Sequence, residues 1–350
     1  MKKQSGFLLL VSLLAAVSFL NSCNKSMETT HPNGVAATST TTAVTPATYL
    51  SNLVAYKNSP HEIYAGFYRM WGPCYGSRLD SSNISRVPDS LDVLVLFCLN
   101  SSSPIANKVA SWVDSLHTKG TKVIMTGNLN LVAGAGSNTA GYTMTAQYIM
   151  DSLVNKYHLD GYDIDIESNP SGQTLTDETG VYTALSKYLG PKSGTGKLLT
   201  FDTNQPASNS LFQNVYSMVS YVWFQAYGQS TSNIQSTLVG SSGILGFGAT
   251  KGYNSYISST QFVPGFSFYE ENGAQNGNNW NDINYPINGE GTGNAYNDAH
   301  WEPSSGGKKG GVFGYAIDRD QPLTSNTDNT MYYPNWVVSK QLIQIMNPHN

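Results

Sequence analysis

The segment DGYDIDIE, residues 160–167, alternates acidic side chains with aromatic or aliphatic ones. Successive side chains of a β-strand point to opposite faces, so Asp163, Asp165 and Glu167 would share one face of such a strand. Helices must cover the opposite, apolar face, which leaves the three carboxylates on the inner face of a closed sheet. The segment therefore predicts a barrel strand whose acids approach the carboxyl-terminal rim, where barrel enzymes place their reactive groups.

Short apolar runs alternate with segments of helical spacing on both sides of this strand. We predict strands at 62–68, 91–99, 122–125, 161–167, 198–203, 221–227, 262–268 and 311–317, and helices at 105–116, 144–157, 178–188, 211–218 and 336–345. Repeated strand–helix units form a parallel sheet with right-handed crossovers. Eight units over about 290 residues match a single α/β domain, a (β/α)₈ TIM barrel. The 43 positions from Phe268 to Gly311 leave no room for an inserted domain.

The amino-terminal residues do not fit the barrel pattern. Lys2 and Lys3 precede an apolar run over residues 7–20, which is too short for a membrane span of about 20 residues and is typical of a secretory signal. The run ends Leu-Asn-Ser-Cys, which resembles a bacterial lipoprotein box with Cys23 as the lipidated residue; a plain secretory signal is the alternative. We therefore predict a lipoprotein signal peptide at 1–22, a Thr-rich tether at 23–48 and the barrel at 49–350. The expected location is the outer membrane of a Gram-negative bacterium, at the cell surface or on the periplasmic face.

The composition limits the possible partners. Only 12% of residues are charged, the formal net charge is −4 and there is no long basic run, which argues against nucleic acids and anionic membrane surfaces. The 22 tyrosines favour an uncharged polar ligand such as a sugar. The six histidines show no metal-ligand spacing, so we expect no metal or cofactor. We expect a monomer that contacts the membrane only through its lipid.

The order Asp-Gly-x-Asp-x-Asp-x-Glu in residues 160–167 resembles the strand-four motif of family 18 glycoside hydrolases, which include chitinases and endo-β-N-acetylglucosaminidases. The resemblance implies that Glu167 protonates the glycosidic oxygen. It also implies that Asp165 orients and stabilises the 2-acetamido group of the substrate, and that Asp163 modulates Asp165. Clustered like charges raise the pKa of some carboxyls, so one or more should hold a proton near neutrality. An acidic triplet that binds metal or lies on a solvated edge is the alternative interpretation, and the apolar alternation argues against an exposed edge.

Two further strands extend the resemblance. Trp223, Gln225 and Tyr227 would share one face of strand six, where family members carry Gln-x-Tyr or Met-x-Tyr. The family pattern implies that Tyr227 binds the acetamido carbonyl, beside a subsite lined by Gln225 and Trp223. Strand eight carries Tyr315 where many chitinases have the Trp that floors the sugar site. Residues 126–128 depart from the Ser-x-Gly-Gly of strand three, which leaves open what packs beneath strand four.

The compact length is similar to that of the single-domain endo-β-N-acetylglucosaminidases of gut and oral Bacteroidetes, which cleave between the two core GlcNAc residues of N-glycans. Aromatic residues expected at the rim, candidates for stacking on sugars, are Tyr68, Trp71, Trp280 and Trp301. A chitinase acting on chitin oligosaccharides is the second enzyme interpretation. A catalytically silent glycan-binding barrel is the third, although such relatives usually lack the Glu equivalent to Glu167. Cys74 and Cys98 are as compatible with a disulfide as with two free thiols.

Overall fold

The computed structural model describes residues 45–70, 84–99, 102, 105–240, 251–268, 282–286, 288–322 and 334–348. Eight parallel strands within these ranges pair in chain order, and the last pairs with the first, so the barrel closes. The strands are β1 (Ile63–Arg69), β2 (Val93–Phe97), β3 (Lys122–Gly127), β4 (Gly161–Asp165), β5 (Leu198–Thr203), β6 (Val222–Gln225), β7 (Phe262–Ser267) and β8 (Gly311–Tyr315). This confirms the predicted single-domain (β/α)₈ TIM barrel.

The helices of the described ranges are α1 (Pro46–Lys57), α2 (Val109–His117), α3 (Thr139–Ile149), α4 (Gly172–Leu185), α5 (Ser210–Val215), α6 (Thr231–Val239), α7 (Asn294–His300) and α8 (Val337–Met346). The sequence did not predict α6 or α7, because both are short and rich in polar residues. Helix α1 begins at Pro46, three residues before the predicted start of the barrel. The Thr45 side chain caps it by accepting from the Thr48 N–H at 3.2 Å, and proline suits a first helical turn.

Aromatic side chains fill the inside of the barrel below its carboxyl-terminal rim. The Phe313 ring lies 5.0 Å from that of Phe67 and 6.1 Å from that of Trp223. Its neighbour in register on β7 is Gly265, where a Cβ atom would stand 2.0 Å from the Phe313 ring. Glycine is required there because the ring occupies the space of a side chain. The interior is therefore a packed floor and not a pore.

Strand β4 ends at Asp165, two residues earlier than predicted. The Ile166 N–H still donates to the carbonyl of Asp202 at 2.8 Å, so the pairing with β5 continues one residue further. Glu167 consequently lies just beyond the sheet, at the rim, while Asp163 and Asp165 lie within the strand.

No helix in the described part of the chain is long and apolar enough to cross a membrane.

Candidate active site

Asp163 is the deepest of the three carboxylates and is fully buried. It lies in register between Thr126 on β3 and Thr200 on β5. Both hydroxyls donate to it, Thr126 at 3.0 Å and Thr200 at 2.5 Å. Burial raises the pKa of Asp163 to about 6, while the hydroxyl donors act in the opposite direction. Asp163 is thus a fixed carboxylate beneath the next acid of the row.

Asp165 stands one inward position closer to the rim and is partly buried. The Nε2 of Gln225, from the end of β6, donates to Asp165 Oδ1 at 3.2 Å. Burial, followed by the negative charges of Glu167 and Asp163, raises the pKa of Asp165 to about 7. The repulsion between carboxylates that the sequence predicts therefore acts mainly on Asp165, the middle carboxylate of the row, which can change its charge near neutrality.

Glu167 is exposed at the rim, and its backbone is held from β5. The Thr203 hydroxyl donates to the Ile166 carbonyl at 2.5 Å, and Gln205 Nε2 donates to the Glu167 carbonyl at 2.9 Å. These bonds fix the main chain while the carboxyl faces solvent. A group so placed can reach a bound molecule and exchange a proton with water.

A fourth carboxyl, which the sequence reasoning missed, belongs to the same cluster. Asp202 on β5 is the register partner of Asp165 and is 2% exposed. Burial and then the charge of Asp165 raise the pKa of Asp202 well above its ordinary value. The signal was present in the sequence, since Thr200 and Asp202 alternate with the apolar residues of β5.

An aromatic wall stands opposite the carboxylates. The Tyr227 ring lies 5.9 Å from that of Tyr315 and 6.2 Å from that of Phe313. Phe97, at the end of β2, meets Tyr315 edge-on at 5.6 Å and was not predicted as a site residue. Burial and then the charge of Asp202 raise the pKa of the Tyr227 phenol, so it remains a hydrogen-bond donor. The structure therefore brings Tyr227 and Tyr315 to the predicted site.

Trp223 lies lower in the barrel than a subsite position would require. It is fully buried and stacked on Tyr221 at 5.2 Å. Its register partner on β5 is Asp202. Trp223 thus packs beneath the carboxylate row and presents no exposed ring face to a sugar.

Two aromatic residues lie away from the predicted rim site. Tyr68 alternates with the inward Phe67, so its side chain lies on the outer face of β1, where it is buried. Trp301 follows α7, and its carbonyl accepts from Lys309 Nζ at 2.7 Å. Because Lys309 also pairs with Glu62, just before β1, Trp301 lies at the amino-terminal end of the barrel. The prediction of a rim position for these two residues is wrong.

Several predicted positions fall outside the described residues, namely Cys23, Trp71, Cys74 and Trp280. Cys98, directly after β2, is an exposed free cysteine. No group of three or more His, Cys, Asp or Glu side chains in the described ranges is arranged to hold a metal ion.

The departure at residues 126–128 has a structural explanation. Thr126 supplies the hydroxyl that donates to Asp163, as described above. Gly127 makes room for Tyr162, whose hydroxyl would stand 1.7 Å from a Cβ atom at that position. The Tyr162 hydroxyl donates to the Asn128 carbonyl at 3.2 Å. These contacts lock β3 against β4 and hold the acidic strand in place.

The arrangement combines an exposed carboxyl, a half-buried carboxylate with an amide donor, and a phenol over an aromatic floor. An exposed acid can protonate a leaving group, and a nearby carboxylate can stabilise positive charge that develops beside it. The flat ring faces suit the apolar side of a sugar.

Comparisons with known proteins agree with this geometry. Residues 66–314 match the family described as the endo-β-N-acetylglucosaminidase EndoS TIM-barrel domain. Endo-β-N-acetylglucosaminidase F2 of Elizabethkingia meningoseptica is 44% identical over 99% of this chain and 100% of its own length. EndoS of Streptococcus pyogenes is 30% identical, and the chain spans a third of its length.

A solved endo-β-N-acetylglucosaminidase from Cordyceps militaris superposes with a TM-score of 0.71 at 36% identity, over 88% of this chain and 98% of that one. A second crystal structure of that enzyme contains fucosyl-N-acetylglucosamine-Asn; its TM-score is 0.72. The crystallised protein carries amide replacements of an aspartate and of a glutamate two positions later. The types and spacing are those of Asp165 and Glu167 here. This chain therefore belongs to the endo-β-N-acetylglucosaminidase family that carries the EndoS-type TIM barrel, and it is a glycoside hydrolase.

Proposed function

We propose that the enzyme hydrolyses the β1,4 bond between the two GlcNAc residues in the core of N-glycans. The family membership supports this substrate class, and so does the ligand of the fungal relative, in which one GlcNAc remains attached to Asn. An asparagine-linked GlcNAc is the part of the glycan that such a cleavage leaves on the protein.

The first step of the proposed reaction breaks the glycosidic bond without an enzyme nucleophile. Glu167 donates its proton to the glycosidic oxygen, and the carbonyl oxygen of the 2-acetamido group forms a bond to the anomeric carbon. The aglycone leaves as an alcohol and an oxazolinium ion remains, as expected for substrate-assisted glycosidases. The attacking oxygen belongs to the same sugar, so its effective concentration is high.

The second step restores the enzyme. Glu167, now a carboxylate, takes a proton from water as the water oxygen attacks the anomeric carbon and the oxazolinium ring opens. Two displacements at one carbon retain its configuration. The exposure of Glu167 supports both roles, because the carboxyl can reach the leaving oxygen and the incoming water.

Asp165 stabilises the charge that develops on the acetamido group. It is one inward position from Glu167, and its Oδ1 accepts from Gln225 at 3.2 Å. The anion is the form that can balance an oxazolinium, and the amide donor favours that form. Asp163 supports Asp165 from below, and Tyr227 donates to the acetamido oxygen over the Tyr315 ring.

The observation that carries this proposal is the inward row of Asp163, Asp165 and Glu167, with Gln225 bonded to its middle member. A Glu167→Gln variant should release no glycans from high-mannose or complex glycoproteins, as measured by mass spectrometry of the released glycans and of the protein. Glu302→Gln, which changes a partly exposed acid that pairs with Lys308 in the loop leading to β8, is the matched control and should cleave normally. Undiminished release by Glu167→Gln would contradict the assignment. Turnover of chitotetraose with untouched glycoproteins would favour the chitinase interpretation instead.

We also infer that the enzyme is an exported monomer anchored through lipidated Cys23. Lys2, Lys3 and the apolar run over residues 7–20 support this inference, since they form a secretory signal that ends at that cysteine. In a Gram-negative host the wild-type protein should fractionate with outer membranes, and Cys23→Ser should release it in soluble form. A membrane-bound Cys23→Ser variant would contradict lipid anchoring. The molar mass of the purified protein, measured by light scattering, tests whether it is a monomer.

A further inference from the structure

Asp282 lies outside the carboxylate row and joins three parts of the barrel near its rim. It stands between β7 and α7 and is fully buried. Its Oδ1 accepts from the Gly228 N–H at 2.9 Å and from Asn294 Nδ2 at 3.0 Å, and its Oδ2 accepts from the Ser267 N–H at 2.9 Å. Gly228 follows β6, Ser267 ends β7 and Asn294 begins α7. One carboxyl group therefore fixes these three elements relative to one another.

The bond to Gly228 acts on the turn that carries Tyr227. The Gln229 N–H donates to the Ala226 carbonyl at 2.9 Å and closes a β-turn. The two central residues of this turn are Tyr227 and Gly228, and Gly228 has φ +70°, as the third residue of a type II turn requires. The hydrogen bond of the turn does not use the N–H of the central peptide, and Asp282 accepts that N–H.

The central peptide sets the position of the Tyr227 side chain, because it is bonded directly to the Cα of Tyr227. The ring lies 5.9 Å from that of Tyr315 and 6.2 Å from that of Phe313, contacts that support the ring but not the backbone that carries it. A hydroxyl that must meet a substrate oxygen tolerates little displacement, since an error of about 1 Å can cost about 10²-fold in rate. Holding the peptide therefore bears on the reaction.

A carboxyl group suits this position because it offers two acceptor oxygens. The Gly228 and Ser267 N–H groups donate to different oxygens, so a side chain with one acceptor could hold only one of them. Burial raises the pKa of Asp282, and its three donors act in the opposite direction because they favour the anion. All the hydrogen bonds of this side chain are thus directed at organising the surrounding chain.

We propose that Asp282 is a positioning residue, which places the Tyr227 hydroxyl for its contact with the acetamido group by holding the Gly228 N–H. This inference rests on the proposed function, because it assigns Asp282 to the support of a residue of that site. The bond to Ser267 ties the same carboxyl group to β7, which pairs with β6 in the sheet. The turn is therefore held from the neighbouring strand.

Two substitutions separate the bond to Gly228 from the other contacts of Asp282. Asp282→Leu removes every acceptor, and its kcat on an N-glycopeptide should fall about tenfold. Asp282→Asn should turn its one oxygen toward Gly228 and Asn294, because this orientation loses one donor whereas the opposite one loses two. Its kcat should therefore stay within about threefold of wild type, although the bond to Ser267 is lost. Equal losses of kcat in both variants, or a wild-type kcat in Asp282→Leu, would overturn the inference.

A loss that acts through Tyr227 should disappear when its hydroxyl is absent. In a Tyr227→Phe background, Asp282→Leu should lower kcat by less than about twofold. A general loosening of the rim would instead add the full loss in that background, which would contradict the role.

Asp320→Leu is the matched control. Asp320 is also buried and accepts from two backbone N–H groups, those of Val338 at 3.2 Å and Ser339 at 2.8 Å. Its replacement should lower the melting temperature and leave kcat unchanged. A loss of kcat equal to that of Asp282→Leu would mean that any such loss of backbone bonds slows the enzyme, and it would overturn the inference.

A backbone substitution tests the same bond even if Asp282→Leu does not fold. Glycolic acid in place of Gly228, introduced by cell-free translation with a chemically charged suppressor tRNA, replaces the N–H by an ester oxygen and alters no side chain. Asp282 then faces a group that cannot donate, and kcat should again fall about tenfold. A wild-type kcat in this protein would overturn the inference.

Wild-type activity distinguishes the two levels of inference. A wild-type enzyme that leaves N-glycopeptides intact would refute the proposed function itself. An active wild type, an inactive Glu167→Gln and a fully active Asp282→Leu would refute only the role of Asp282.

Discussion

Replacing Asp165 by asparagine should stabilise the folded protein while it removes activity. Burial and the charges of Glu167 and Asp163 raise the pKa of Asp165 from 3.8 to about 7. The folded state therefore holds this proton more tightly than the unfolded chain does. The contribution to stability is fully present below pH 3.8 and is lost as the pH rises through 7.

The size of the effect follows from the rise in pKa. Each pH unit by which the pKa rises is equivalent to about 1.36 kcal/mol of stability. The rise in the pKa of Asp165 therefore destabilises the folded protein by about 4 kcal/mol once Asp165 is ionised in both the folded and the unfolded state, near pH 8. Near pH 5 Asp165 is ionised in the unfolded chain only, and the loss of stability is about 1–2 kcal/mol. Asp165→Asn removes this dependence, so its stability relative to wild type should improve by about 2–3 kcal/mol between pH 5 and pH 8. Such a gain at the expense of activity is typical of catalytic carboxylates.

Urea unfolding at pH 5 and pH 8, followed by tryptophan fluorescence, measures the difference. Asp151→Asn, which removes an exposed carboxyl beyond α3, serves as the control for the loss of one charge. A difference between Asp165→Asn and wild type that is the same at both pH values would refute the raised pKa of Asp165. It would also refute the charge repulsion that Glu167 and Asp163 exert on Asp165.

Three other substitutions test the surroundings of the row. Thr200→Val removes the 2.5 Å hydrogen bond to Asp163 and should lower the free energy of unfolding by about 1–3 kcal/mol at pH 8. The loss should be smaller at pH 5, because Asp163 is protonated there. Urea titrations that show the same loss at both pH values would contradict this. Tyr227→Phe should lower kcat about 10²-fold at unchanged melting temperature, and a wild-type kcat on N-glycopeptides would exclude its hydroxyl from the reaction. Gly127→Ala places a Cβ 1.7 Å from the Tyr162 hydroxyl and should cost about 1–3 kcal/mol in denaturant titrations, whereas a neutral effect would show that β3 can move away.

The strict alternation in residues 160–167 made the acidic row predictable, because one face of the strand had to be covered and the other had to point inward. The same parity predicted that Gln225 and Tyr227 share a face; Gln225 ends β6 and its amide reaches Asp165, whereas Tyr227 lies two residues beyond the strand. The alternation of Thr200 and Asp202 with the apolar residues of β5 indicated that Asp202 points inward, but only the register with β4 shows that it lies beside Asp165. The pairing of two strands is set by the tertiary structure and cannot be predicted from the sequence of one strand.

The misplaced aromatic residues have equally specific causes. The interval between β7 and β8 is rich in Asn and Gly, so the short helix Asn294–His300 left no clear periodic pattern. That helix returns the chain to the amino-terminal end of the barrel before Trp301, which moves the residue from the rim to the opposite end. Tyr68 was misplaced for a simpler reason, since the sequence of β1 is apolar on both faces and its parity could not be assigned.

The stereochemistry of the released sugar tests the central claim most directly. Proton NMR of the glycan released from an N-glycopeptide, recorded within the first minutes before mutarotation, reports the anomer that the enzyme forms. If the acetamido group attacks first and Glu167 then activates water, the new reducing-end GlcNAc appears as the β-anomer and the α-anomer grows in later. An initial α-anomer would mean a single displacement by water, and it would contradict the mechanism proposed for Asp165 and Glu167.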